Sequence, residues 1–264
     1  MADERQYVEY ERKGNIVTIA MNRPEKLNAV SDEMVRQLLD AHRRFDADPD
    51  AHVAIFCGRG RAFCSGADVL QRQLRTREEL ERLGGPQGHG ANSGELLFQS
   101  VNFKPVIAAV HGYVLGLGVG MVLDCDLIVA EAGTKFHLTE TSRGLGSAKQ
   151  WAQFHFRGAG AFGDEVVLTG RYFSAEEALA ANLINRVAPE GKFMDAAMAL
   201  AESVAANPPL SVRATVRTRR WRLSQVVREA AFQQAPMRLY LTEDFQEAAT
   251  AFKEKRKPRP FKGR

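Results

Sequence analysis

Cysteine is scarce in this chain. Cys57, Cys64 and Cys125 are the only three among 264 residues, an odd number with no CxxC pair and no zinc-site spacing. That leaves neither a disulfide framework nor a structural zinc site, and it reads as reduced, buried thiols in a cytoplasmic protein. Long clean apolar runs are also missing. Val106 to Leu123 comes closest, but it holds His111 and four glycines and runs into Asp124 and Asp126. A buried strand, turn and helix fits it better than a membrane span. The first residues, Met1 to Arg5, are charged and carry no apolar core of a secretory signal. Two phosphate motifs are absent as well. Gly116-Leu117-Gly118-Val119-Gly120 ends on Met121 where a dinucleotide fingerprint needs glycine, and no P-loop Gly-Lys-Ser/Thr occurs.

What is present is ordinary for a globular enzyme: 45% hydrophobic and 26% charged residues. A folded chain of ~300 residues buries ~75% of its extended surface, so a core forms without staples. The net charge of +4 is unevenly spread. Residues 211–264 hold 14 of the 36 Lys+Arg and 5 of the 32 Asp+Glu, a net of +9, leaving −5 on residues 1–210. A polarised basic segment implies either an anionic partner or a solvated basic helix.

Short β-branched runs alternate with helical patterns. Strands are predicted at residues 16–20, 52–57, 106–110 and 127–130. A helix opens at Ser31, with Asp32 and Glu33 at its positive end and Met34, Leu38, Ala41 and Phe45 on its buried face. Ser174-Ala175-Glu176-Glu177 is a capping box. The alternation argues for an α/β core. No strand pattern follows Phe193, and Asn207-Pro208-Pro209 breaks the helical pattern. The expected division is a core over 1–207 and a basic helical region over 208–264. Five glycines between Gly84 and Gly94 suggest a surface loop or lid carrying His89.

Two glycine-bearing turns follow strands. One spans Gly58 to Asp68 and the other begins at Gly116. Together they can aim two backbone N–H groups at one developing oxyanion, each worth ~2.7–4 kcal/mol in acyl chemistry.

At these residues the chain resembles the enoyl-CoA hydratase/isomerase (crotonase) superfamily. The matching motifs are Lys104-Pro105-Val106-Ile107-Ala108-Ala109-Val110-His111-Gly112-Tyr113 with Gly116-Leu117-Gly118, and Ala62-Phe63-Cys64-Ser65-Gly66-Ala67-Asp68. Asn22-Arg23-Pro24 with Asn28-Ala29, Leu168-Thr169-Gly170, and Ala251 to Pro258 match further motifs in order. The resemblance implies a spiral of ββα turns with a C-terminal helical region that builds a homotrimer or homohexamer. It also implies an acyl-CoA substrate, with coenzyme A arriving as part of the thioester and no permanently bound cofactor or metal. By motif position, the backbone amides of Cys64 and Leu117 would hold the thioester oxygen. Lys26, Leu27, Ala29, Ala62, Ser65, Gly66, Ala67, Asp68 and Gly116 would surround the substrate, with Phe252 and Lys255 from the tail.

The family's two acid/base positions diverge here. Glu140 matches one of them. Gly120 stands where hydratases carry the other glutamate, and Asp124 lies one helical turn on. Hydration suits two carboxylates, whereas moving a double bond needs one base, so an isomerase is the expectation. The alternatives are a hydratase, lyase or hydrolase of the same superfamily, a non-catalytic CoA-binding scaffold, or RNA binding through Arg213, Arg217, Arg219, Arg220, Arg222 and Trp221. Lys149, Gln150 and Trp151 replace the small residues of relatives and should reshape the acyl pocket, with His137, His155 and Arg143 as further polar candidates.

Overall fold

The computed structural model describes residues 5–86 and 102–264, so most of the glycine-rich segment with His89 lies outside the described residues. Six strands form the main sheet in the order β1-β2-β3-β4-β6-β9. They are β1 (Val8–Lys13), β2 (Ile16–Met21), β3 (Val53–Gly58), β4 (Val106–Val110), β6 (Leu127–Glu131) and β9 (Arg186–Ala188). All neighbours are parallel except the β1–β2 hairpin. A second sheet pairs β5 (Tyr113–Leu115), β7 (Lys135–His137) and β8 (Tyr172–Ser174).

Alternation along the central strands explains why both faces of the main sheet are covered. Val17, Ile19, Ala54, Phe56, Ala108 and Val110 point into one apolar cluster that includes helix α1 (Asp32–Ala47). Ile16, Ala20, Ile55, Cys57, Ile107 and Ala109 point into the other. As the sequence predicts, Ser31 caps α1 by accepting from Met34 N at 3.1 Å. Met34, Leu38, Ala41 and Phe45 form its buried face.

The spiral lies in how the two sheets are linked. β4 belongs to the main sheet and β5 to the small one, and β6 and β7 repeat that step. β3 does so too, because Cys64 pairs with Val114 as an isolated parallel bridge. Each turn then enters a helical segment: α2 (Val69–Arg72), α4 (Leu117–Asp124), and a 3₁₀ turn over Thr141–Arg143 leading to α5 (Ala148–Phe156). Helix α3 (Arg77–Leu83) follows α2.

Helices α6 (Gly160–Thr169) and α7 (Ala175–Ala180) flank β8, and α7 opens on the expected capping box. Helix α8 (Phe193–Ala205) lays Ala197 and Ala201 on the main sheet. Past Asn207, α9 (Pro209–Gln234) packs on α5 through Leu223, Val227 and Ala152. Helix α10 (Glu243–Lys253) ends the ordered elements.

Candidate active site

Three stacked turns each supply one part of the site. In the first turn, the buried Asn28 braces the loop after β3. Its Nδ2 donates to Arg59 O at 2.9 Å, Ala62 O at 2.9 Å and Phe63 O at 3.1 Å, and its Oδ1 accepts from Arg23 N at 2.8 Å. Leu27 and Asn28 reach this geometry with φ of 49° and 55°. Arg23 also binds Ala29 O at 3.0 Å and the Asp68 carboxylate at 2.9 Å, tying the N-terminal motif to the loop. Asp68 in turn caps α2.

The backbone bookkeeping of this loop departs from the sequence expectation. The Cys64 amide donates to Tyr113 O at 3.0 Å, because residue 64 forms a rung beside β5. Its thiol is fully enclosed and pushed up to about 12 by burial, which leaves it unreactive. Val30 N donates to Gly66 O and Asp68 N to Val30 O. That pattern steps over Ala67, whose N–H has no partner among the described residues. A free amide therefore exists in this loop, three residues beyond the expected one.

In the second turn, Gly116 sits at φ 49°, and a Cβ there would lie 2.6 Å from Thr139 Oγ1. Only glycine fits. The turn starts α4, so the Leu117 N–H, at the positive end of a helix, has no partner among the described residues. A Cβ on Gly66 would lie 3.8 Å from Leu117 N, and one on Gly118 3.0 Å from Cys64 Cβ. The two turns are thus in contact, with the Leu117 amide next to the Gly66–Ala67 peptide.

In the third turn, Glu140 follows β7 and starts the 3₁₀ turn. Its Oε1 accepts from Gln150 Nε2 at 3.4 Å, whereas Oε2 is enclosed and has no hydrogen-bond partner among the described residues. Burial raises its carboxyl to about 6, against smaller opposing effects from nearby backbone amides and from Lys149 and Arg143. Gly120 faces the same place. A Cβ there would meet Gln150 Nε2 at 3.5 Å and nothing else within 4 Å. Asp124 does not turn inward. It is buried, accepts from Gln153 Nε2 at 2.7 Å and pairs with Lys149 at 3.3 Å.

These parts line one cleft of about 690 Å³. Lys26, Ala29, Ser65, Gly66, Ala67 and Asp68 are in its wall, and so are Leu117, Glu140 and Phe252. Leu27, Ala62, Cys64 and Gly116 stand behind the wall as backbone supports, and Lys255 lies outside it. Lys149, Gln150, Arg143 and His137 also line the cleft, while Trp151 and His155 instead bind Asp164 at 2.7 and 2.9 Å. His137 donates through Nε2 to Gly170 O at 2.7 Å, and burial lowers its pKa.

Sequence reasoning missed Gln234 and Arg238, which reach the wall from the end of α9. Gln234 Oε1 accepts from Ala148 N at 3.0 Å and caps α5. No local motif marks this contact, which depends on a long helix folding back on its own chain.

The basic cluster on α9 is mostly spent on docking. Arg220 is buried, its Nε binds Asp126 Oδ1 at 3.0 Å, and its terminal nitrogens reach Asn102 O and Lys104 O at 2.5 and 2.8 Å. Arg219 shares Asp126 at 3.3 Å, and Arg217 lies over the Phe103 ring. Among the described residues no helix is long and apolar enough to cross a membrane.

Comparison with known proteins adds independent information. The family model described as "Enoyl-CoA hydratase/isomerase" matches residues 11–264. Mevalonyl-coenzyme A hydratase of Aspergillus fumigatus is 34% identical over 94% of this chain and 93% of its own. The crystal structure of an enoyl-CoA hydratase from Mycobacterium tuberculosis H37Rv superposes with a TM-score of 0.70 at 34% identity, over 96% of this chain and 98% of that one. A carnitinyl-CoA hydratase structure from Mycobacterium avium gives 0.77 at 31% identity, over 98% of this chain and all of that one.

Proposed function

The chain belongs to the enoyl-CoA hydratase/isomerase family, and from that premise we propose that it shifts the double bond of an enoyl-CoA thioester. The Ala67 and Leu117 amides accept the thioester oxygen into the gap between the first two turns. Glu140 Oε2 takes a proton from the α-carbon of a 3-enoyl thioester, and the electron pair delocalises into the dienolate held by those amides. The same carboxyl returns the proton at the γ-carbon and yields the 2-enoyl thioester. Coenzyme A enters as part of the substrate, so no resident cofactor is required.

One observation carries this reading. Glu140 is an enclosed carboxylate poised near neutrality, whereas Asp68, the other carboxylate of the described wall, is held by Arg23; the slot opposite Glu140, beside Gly120, holds the amide of Gln150. A neutral amide orients a partner but does not take its proton. A second reading is favoured by the hydratase names of the relatives. In that reading Gln150 orients a water and Glu140 performs both proton transfers.

Product analysis separates the two. Isomerisation converts 3-enoyl-CoA to 2-enoyl-CoA without change of mass, whereas hydration adds the mass of one water to 2-enoyl-CoA. Hydration without migration of a 3-enoyl bond would overturn the first reading. Assembly into a homotrimer or homohexamer is proposed with it, supported by Trp221 and Phe232 on α9, 62% and 74% exposed. Light scattering tests that assembly.

A further inference from the structure

Arg143 has a place in the cleft that the proton-transfer chemistry does not use. It closes the 3₁₀ turn that Glu140 opens, and side chains three apart in such a turn eclipse one another. Both therefore project to the same side, and both line the cleft. The Arg143 guanidinium lies 4.2 Å from the centre of the Phe252 ring, which also lines the cleft. It forms no ion pair with any carboxylate among the described residues, and its Nη1 is buried without a hydrogen-bond partner. Glu140 is felt through space but is not in ion-pair contact. Two other cations of the cleft wall, by contrast, have a carboxylate close by. Lys149 pairs with Asp124, and Arg238 lies 4.0 Å from Glu81.

A guanidinium held flat by an aromatic ring in a partly dry wall is costly without an anion, and it offers a fork suited to a carboxylate. Resting on the acyl-CoA reading above, we propose that Arg143, backed by Phe252, is a subsite for an anionic group on the acyl chain, so that the substrate class is thioesters bearing a second carboxylate. The shared chemistry extends to the phosphates of coenzyme A, which are the competing source of the anion. The eclipsed placement beside Glu140 favours the acyl end, because Glu140 is the group that must reach the acyl carbons.

The test uses saturated thioesters, which bind without turnover. Calorimetry on the full chain compares glutaryl-CoA with valeryl-CoA, and the same acyl groups on pantetheine, which lacks the nucleotide phosphates. Glutaryl-CoA is expected to bind about 10- to 100-fold more tightly than valeryl-CoA. Arg143→Leu should erase that preference and leave valeryl-CoA within about twofold of wild type. Arg143→Lys should retain part of the preference. Because the readout is a ratio, general damage to the fold does not mimic it, and circular dichroism checks both variants.

Equal affinity of the wild type for the two CoA thioesters overturns the subsite and leaves the acyl-CoA reading standing. A loss in Arg143→Leu that is equal for both CoA thioesters and vanishes on pantetheine assigns Arg143 to the phosphates and also overturns it. Failure of both thioesters to bind overturns the acyl-CoA reading, and the subsite with it.

Discussion

Replacing Glu140 by glutamine should damage activity and improve stability, and the two effects share one cause. Burial holds the carboxyl at about 6, against 4.5 for the free group. In the folded chain the ionised form is therefore disfavoured by about 1.5 pH units, or at most about 2 kcal/mol. The sign follows from proton counting. Between pH 4.5 and 6 the folded state binds more protons at this residue than the unfolded state does. The group's contribution to stability thus falls as pH rises through that window, and the cost is complete above it.

Glutamine does not titrate, so the stability gap between Glu140→Gln and wild type should widen by about 2 kcal/mol from pH 4 to pH 7.5. In Tm this is roughly 4–8 °C for a chain of this size. Any constant penalty from the new buried amide N–H cancels in the change of the gap. Denaturant titrations at several pH values measure it. Activity reports the same group from the other side. The wild-type kcat/KM should fall tenfold per pH unit well below 6, because the base must be ionised. The variant should be ~10²–10⁴-fold slower and flat with pH over that range. Parallel stability curves, or a variant within tenfold of wild type, would refute the assignment of Glu140 as an enclosed base.

Three further outcomes follow from the same geometry. Asn28→Ala removes a side chain that holds three backbone carbonyls of the oxyanion loop and the Arg23 amide, and should cost about 2–4 kcal/mol in urea unfolding while lowering kcat more than it raises KM. Gln150→Glu places a second carboxylate about 3.4 Å from Glu140. Like charges resist joint ionisation, so the acid limb of the pH–rate profile should move upward by about one unit, and the product mixture should shift towards hydration. Arg220→Leu leaves Asp126 to Arg219 and the Val106 amide and takes a donor from the Asn102 and Lys104 carbonyls, and should lose about 2–4 kcal/mol, read by thermal melting.

Much of the fold is legible because burial writes a period into the chain. Val53 to Gly58 is buried at every position and reads as a central strand, and Ser31 and Ser174 announce helix starts by chemistry that acts over three residues. The spiral is not legible, because β5, β7 and β8 are three residues each and too short for alternation to declare itself. The oxyanion donors are hidden for a different reason. They are backbone N–H groups, and which one is free depends on hydrogen bonds made to Val30 and Tyr113, far away in sequence. A motif marks the loop but not its free amide, which is why Cys64 was the expectation and Ala67 carries the unpaired N–H. Gly120 is a similar case. Its missing side chain is visible in the sequence, whereas the Gln150 amide that faces the gap comes from a helix thirty residues later.

Part of the uneven charge of the chain is consumed by folding. Arg213 approaches Asp46 at 3.9 Å, and Arg219 and Arg220 converge on Asp126, so the acidic body and the basic helix neutralise each other where they meet. The tail pairs internally, with Arg256 on Glu247 and both Lys262 and Arg264 on Glu243, which leaves the net charge of the segment unchanged. Docking on the chain's own acidic residues thus accounts for part of the +9 segment. The charges that ask for an external partner are those left over in the cleft, and Arg143 belongs to the acidic body, outside the basic segment that first drew attention. Bulk charge finds the docking surface of α9, whereas the proposed substrate class rests on Arg143, a cleft cation with no ion pair among the described residues.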